Sequence, residues 1–206
     1  MLEARDLAAT RGDRALFNNV AFALAPGALL RVTGANGRGK TTLLRALCGL
    51  LQPAAGEVRW KGESIRALRE EYWAELLYIG HANALKDDLT PEENLTIASG
   101  IAGSLVAPER ARAALARFGL AGREALPVRA LSQGQRRRAA LARLAVSDSR
   151  PLWILDEPFA ALDAAGIEQV QSLAGEHLAR GGLVVLTTHQ AARIAAPSVT
   201  DIDLGN

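Results

Sequence analysis

One nine-residue run constrains this chain more than any other: Gly34-Ala35-Asn36-Gly37-Arg38-Gly39-Lys40-Thr41-Thr42. It follows the apolar segment Leu29 to Thr33 and opens a segment with Leu43, Leu44, Leu47 and Leu51 at helical spacing. It therefore fits G-x-x-x-x-G-K-S/T in the strand-to-helix context that the pattern requires. The glycines let successive backbone N–H groups and a helix N-terminus face phosphate oxygens. Lys40 would place a point charge on the outer phosphates, and the Thr41 hydroxyl is an oxygen donor suited to Mg²⁺. The bland alternative is a glycine-rich turn that binds nothing, and agreement of both flanks argues against it.

The rest of the chain reads as an α/β fold around this loop. Residues 16 to 33 hold short apolar segments broken by Asn18-Asn19 and Pro26-Gly27, which predicts antiparallel strands leading into a core strand. A helix is expected from Thr41 to Leu51, with Pro53 and Gly56 as stop signals. From Asp87 to about Ala125 the sequence turns Ala-rich and Arg- and Glu-dotted, with Pro91 and Pro108 placed for helix first turns. Beyond it come a capped helix (Ser132 to Val146), a strand (Leu152 to Leu155), a helix (about Ala165 to Ala179) and a strand (Leu183 to Thr188). That alternation predicts a mostly parallel core sheet covered on both faces, with N-terminal antiparallel strands and an inserted helical subdomain. The expected organisation is a single domain over 1–206, with the helical insertion at about 82–130.

Composition removes several classes. With 49% apolar and 22% charged residues, the 206-residue chain has the means to bury a core and is not disordered. Apolar runs such as Leu152 to Leu155 fall far short of the roughly 18–20 residues that cross a bilayer. The start MLEARDLAATRGD has no apolar h-region, so a cytoplasmic protein without a signal peptide is expected. The single Cys48 allows no internal disulfide and no cysteine cluster for zinc. Twenty-four bases against 22 acids are too balanced for a phosphate-backbone footprint, so nucleic acid is not an expected partner.

Two further stretches carry chemistry. Leu152 to Leu155 runs into Asp156-Glu157-Pro158, an apolar strand ending in two carboxylates that are costly to bury without a reason. At the carboxyl end of a parallel strand, Asp156 can hold the Mg²⁺ shell while Glu157 polarises a water for attack on a γ-phosphate. Leu131-Ser132-Gln133-Gly134-Gln135-Arg136-Arg137-Arg138 contains a capping box, Ser132 with Gln135, that fixes a helix N-terminus favourable to an anion. The three arginines are read as solvated or interface contacts and mid-helix His177 as structural.

The second stretch resembles the signature motif of ATP-binding-cassette ATPases. Further marks follow in family order: Ala161-Leu162-Asp163 resembles the D-loop, and His189, after Leu183 to Thr188, resembles the switch histidine. The resemblance runs from Leu2 to about Gln190. It implies an ATPase with ATP and Mg²⁺ as ligands, Lys40, Glu157 and His189 as catalytic residues, and Thr41 and Asp156 on the metal. It also implies a homodimer closed by ATP, in which Ser132, Gly134, Gln135 and Asp163 face the nucleotide of the opposite cassette. Three positions depart from the family pattern. Gln133 replaces a glycine, His81 replaces the glutamine that enters the helical subdomain, and Arg11 replaces the aromatic that stacks on adenine. Histidine is the residue type whose charge changes nearest neutral pH, so pH-sensitive coupling through position 81 is expected.

Within the family, the brevity of the chain, MLEARDL, Tyr78-Ile79-Gly80-His81, Leu152 to Asp163 and Thr187-Thr188-His189-Gln190 resemble the ATP-binding subunits of haem exporters of cytochrome c biogenesis. That resemblance implies a peripheral ATPase on the cytoplasmic face of a bacterial inner membrane. Its partners would be a separate multi-span membrane subunit and the cytochrome c biogenesis machinery. The ATPase of another small efflux or lipoprotein-type transporter, and a nucleotide-gated scaffold with little turnover, stay open as alternatives.

Overall fold

The computed structural model describes residues 1–189 and 193–205; Gln190, the last residue of the motif run, lies outside them. Strands β1 (Leu2–Arg11) and β2 (Arg14–Leu24) lead into β3 (Ala28–Thr33), and helix α1 spans Lys40–Leu47. Then come β4 (Ala55–Trp60), β5 (Glu63–Ser64), the short helices α2 (Ile65–Leu68) and α3 (Glu70–Ala74), and β6 (Leu76–Ile79). Helices α4 (Pro91–Ile101), α5 (Pro108–Arg117) and α6 (Gln133–Leu141) precede β7 (Leu152–Leu155), α7 (Ala164–Ala179), β8 (Leu183–Thr187) and β9 (Ser198–Asp203).

The strands form two sheets. An antiparallel sheet runs β2-β1-β4-β5, and a five-stranded sheet runs β6-β7-β8-β3-β9 with every neighbouring pair parallel. Parallel strands need cover on both faces, and alternation along β7 and β8 supplies it. Leu152, Ile154, Leu183 and Val185 pack with α1 and the antiparallel sheet. Trp153, Leu155, Val184 and Leu186 pack with α4 to α7. The α/β class, the mostly parallel core sheet and the N-terminal antiparallel strands expected from sequence are all present.

Several boundaries differ from expectation. Helix α1 stops at Leu47 rather than Leu51, because Gly49 turns into the left-handed region (φ 71°) and Leu50 and Leu51 fold back to the Arg45 carbonyl. The helix after Ser132 is α-helical only to Leu141 and tightens into a 3-10 turn over Ala142–Val146. Strand β1 was not anticipated; it buries Leu2, Ala4, Leu7 and Ala9 but is kinked by Asp6 at φ 49°, which masks the alternation. Edge strand β9, also unanticipated, has no buried residue and is fastened by a two-pronged Arg31–Asp201 ion pair at 2.7 and 2.8 Å. Pro91 and Pro108 do open α4 and α5, and Thr90 caps α4 through a capping box with Glu93.

On the face of the sheet covered by α7, His177 stacks flat on Trp153, with centroids 4.0 Å apart and planes 8° from parallel. Gly182 makes room for it: a Cβ there would lie 2.2 Å from the imidazole Nε2. Burial holds the ring neutral and pulls its pKa from the ordinary 6.5 down to about 4. The unfolded chain therefore takes the proton first, and the stability carried by the neutral ring is complete above about pH 6.5 and lost as pH falls towards 4. Between those values this one group contributes up to about 1.4 kcal/mol per pH unit. His177→Phe, which keeps the stack, should flatten the fall in urea stability between pH 6.5 and 4.5; an unchanged slope would contradict this.

Candidate active site

Parallel strands bring their carboxyl ends to one edge, and four loops meet there: residues 34–39 after β3, Gly80-His81 after β6, Asp156-Glu157 after β7 and Thr188-His189 after β8. Helix α1 starts at Lys40, and its N-cap, Gly39, supplies no side-chain bond, so its first N–H groups keep their capacity for an anion. Position 39 favours glycine. Its φ is 94°, and a Cβ would press to 3.0 Å from Leu16 and 3.2 Å from the Phe17 ring. Buried Lys40 donates from Nζ to the carbonyls of Gly34 (2.7 Å) and Ala35 (3.3 Å), which holds the ammonium over the loop.

Beneath the loop lies Asp156, 2% exposed. A buried carboxylate needs compensation. The Thr41 hydroxyl donates to Oδ2 at 2.8 Å, and the Thr187 hydroxyl donates to Oδ1 at 2.8 Å. Thr187 Oγ1 also accepts the Glu157 N–H at 2.8 Å. Glu157 takes a left-handed backbone (φ 46°), strain that a non-glycine residue bears only when its surroundings enforce it. That turn sets its carboxylate between two imidazoles, His189 Nε2 at 3.2 Å from Oε1 and His81 Nδ1 at 4.0 Å from Oε2. His189 Nε2 is also 3.1 Å from Lys40 Nζ. One ring nitrogen cannot serve both neighbours at once. Protonated, it donates to Glu157; unprotonated, it accepts from Lys40.

Most sequence-predicted residues converge. A cleft of about 420 Å³ is lined by Arg11, Asn36, Gly37, Gly39, Lys40, Thr41, Thr42, His81 and Glu157, with Leu16. Gly34, Ala35 and His189 line a neighbouring opening, together with Arg31 and Asp201. Arg38 is exposed and lines neither. Ser132, Gly134, Gln135 and Asp163 also stand outside both. Ser132 caps α6 in a reciprocal box, accepting from Gln135 N at 3.3 Å while Gln135 Oε1 accepts from Ser132 N at 2.9 Å. Asp163 caps α7 through Gly166 N (2.9 Å) and pairs with Arg138. Those two contacts, the backbone bond first, hold its carboxyl below the usual range.

Two residues at the site were not anticipated. Thr187 is wholly buried, and its only sequence signal is a hydroxyl where an apolar run ends at a strand terminus. Arg137 was expected in solvent or at an interface with its neighbours, yet it is 4% exposed and donates to backbone carbonyls of the Gly80 and Asp156-Glu157 loops.

A phosphate loop on a parallel sheet, a buried carboxylate behind it and a capped helix carrying the signature stretch define a nucleotide-hydrolysing cassette. The chain belongs to the ABC transporter family, whose family model matches residues 17–160. It is 52% identical over 205 residues to the cytochrome c biogenesis ATP-binding export protein CcmA of Dechloromonas aromatica, covering 100% of both chains. It is 53% identical over 204 residues to the protein of the same name from Aromatoleum aromaticum, covering 99% of this chain and 95% of that one. Among solved structures, a dimeric post-hydrolysis state of the ATP-binding cassette MJ0796 with ADP and Pi superposes with a TM-score of 0.80 at 25% identity. That match covers 92% of this chain and 88% of the other.

Thr187→Val keeps the shape but leaves the Glu157 N–H without its acceptor and Asp156 without a donor, at about 1–3 kcal/mol for each buried group. The denaturation midpoint should therefore fall by several degrees, and an unchanged midpoint would count against this network.

Proposed function

We propose that this chain is the ATP-hydrolysing subunit of an inner-membrane complex of c-type cytochrome biogenesis, driving haem export or release of a haem-loaded chaperone. The observation that carries the hydrolytic part is the line Lys40–His189–Glu157, at 3.1 and 3.2 Å, where the phosphate-loop cleft meets the neighbouring opening. The assignment to cytochrome c biogenesis rests on end-to-end identity of about half with proteins so named.

In this reading the N–H groups of the loop and of α1 receive the phosphates, and Lys40 neutralises charge on the outer ones. Arg11, on the cleft wall, lays its guanidinium plane against the base. The Glu157 carboxylate accepts a proton of the attacking water, and His189 steadies it. Thr41 Oγ1 and Asp156 Oδ2, two hard oxygens 2.8 Å apart, are the donors Mg²⁺ takes when substrate phosphates and water complete its shell. When bound, the ion offsets charge on the β- and γ-phosphates.

Ser132, Gly134, Gln135 and Asp163 stand away from the cleft of their own chain, which supports a role on the nucleotide of a second cassette. Two copies then close around ATP and reopen after hydrolysis. The segment 82–130 acts as a helical subdomain and passes this motion to a multi-span membrane subunit at the cytoplasmic face, with His81 at the junction. Among the described residues no helix is long and apolar enough to cross a membrane, which supports a peripheral placement.

Glu157→Gln should lower ATP turnover by about a hundredfold or more while ATP binding is retained. Affinity capture of that variant with ATP from native membranes should recover a multi-span subunit with haem-bearing biogenesis components. Capture of an unrelated permease would overturn the cytochrome assignment, and turnover equal to wild type would overturn the hydrolytic role of Glu157.

A further inference from the structure

Helix α6 carries the signature stretch at its N-terminus, and from its second turn Arg137 reaches under the site. Its guanidinium forks across two loops. Nη2 donates to the carbonyls of Glu157 (2.8 Å) and Asp156 (3.1 Å), and Nη1 donates to the carbonyl of Gly80 (3.1 Å) and to Asn83 Oδ1 (3.4 Å). Side chains so buried are seldom arginine, and its partners are mostly backbone oxygens rather than a carboxylate. Burial lowers its pKa, an effect that the charges of Asp156 and Glu157 partly offset.

The loops it joins are the ones whose backbone must not drift. Glu157 sits at φ 46°, and its peptide groups are gripped from two sides: Thr187 takes the N–H and Arg137 holds the C=O. Gly80, the other main partner, immediately precedes His81. From this geometry we infer that Arg137 is a positioning residue, which holds the Glu157 carboxylate at its working angle and ties that angle to the position of the signature helix. Arg137 itself lines neither the cleft nor the neighbouring opening. Displacing α6 draws on the Glu157 carbonyl, so a change in signature-helix position is felt at the hydrolytic carboxylate through one side chain. Lysine cannot reproduce this, since a single ammonium lacks the planar fork that spans both loops.

This inference rests on Glu157 being the water-orienting group. The test compares Arg137→Lys and Arg137→Gln with Arg150→Gln. Arg150 is a second buried arginine that donates to backbone carbonyls, those of Trp73, Leu76 and Ala102, at the opposite end of β6. The Arg137 variants should lose about ten- to a hundredfold in kcat for ATP, a small misplacement of a reacting group being enough, with KM held within about twofold. Arg137→Lys should lose the less and is the variant to read if Arg137→Gln does not fold. Arg150→Gln should lower the melting temperature and leave kcat near wild type. Unchanged kcat in a folded Arg137 variant, or an equal kcat loss in Arg150→Gln, would overturn the inference. If Glu157→Gln is inactive while the Arg137 variants are not, only this inference fails; if Glu157→Gln turns over normally, the role of Glu157 fails first and the inference with it.

Discussion

A single buried carboxylate organises this molecule. Asp156 lies at the end of β7 with almost no solvent, and it is held there by hydroxyls from the first turn of α1 and the last residue of β8. Left bare, such a charge would cost more than most single core contacts return. Compensated by Thr41 and Thr187, it fixes the height of the phosphate-loop helix against two adjacent strands. The apolar layers above and below the sheet supply the stability, and this polar knot sets where the loops sit.

Some of the departures from ideal local structure lie beside that knot. Glu157 and Ala161 adopt left-handed backbone without being glycine, and Gly39 combines a left-handed dihedral with tight space against Leu16 and Phe17. The same neighbourhood holds two buried cations, Lys40 and Arg137, each donating to carbonyl oxygens of the loops rather than forming a close ion pair with Asp156. Two carboxylates, Asp156 and Glu157, lie here among two cations, Lys40 and Arg137, with the Thr41 and Thr187 hydroxyls and the His189 imidazole between them. Whether His189 Nε2 carries a hydrogen decides whether it donates to Glu157 or accepts from Lys40.

Sequence exposed the features whose spacing is local. The phosphate loop, the Ser132–Gln135 capping box and the proline-started helices depend on residues close together in the chain, and each stands where the spacing put it. Long-range partners were invisible. Thr187 meets Asp156 across 31 residues and Arg137 meets Gly80 across 57, and a threonine or arginine on its own carries no sign of the carbonyl or carboxylate it will find. Helix α1 was overextended because Leu51 keeps helical spacing, while the turn at Gly49 is decided by backbone conformation. Strands β1 and β9 escaped for opposite reasons, one kinked out of simple alternation and the other too exposed to show any.

The proposed role of the Asp156 carboxylate is to make the cleft a Mg²⁺-dependent nucleotide site, beyond what the loop in front of it supplies. Calorimetric titration of ATP with and without Mg²⁺, on the wild type and on Asp156→Asn, tests that directly. Both proteins should bind metal-free ATP with similar affinity, and the gain from Mg²⁺ should be lost in the asparagine variant. An equal gain in both would contradict it.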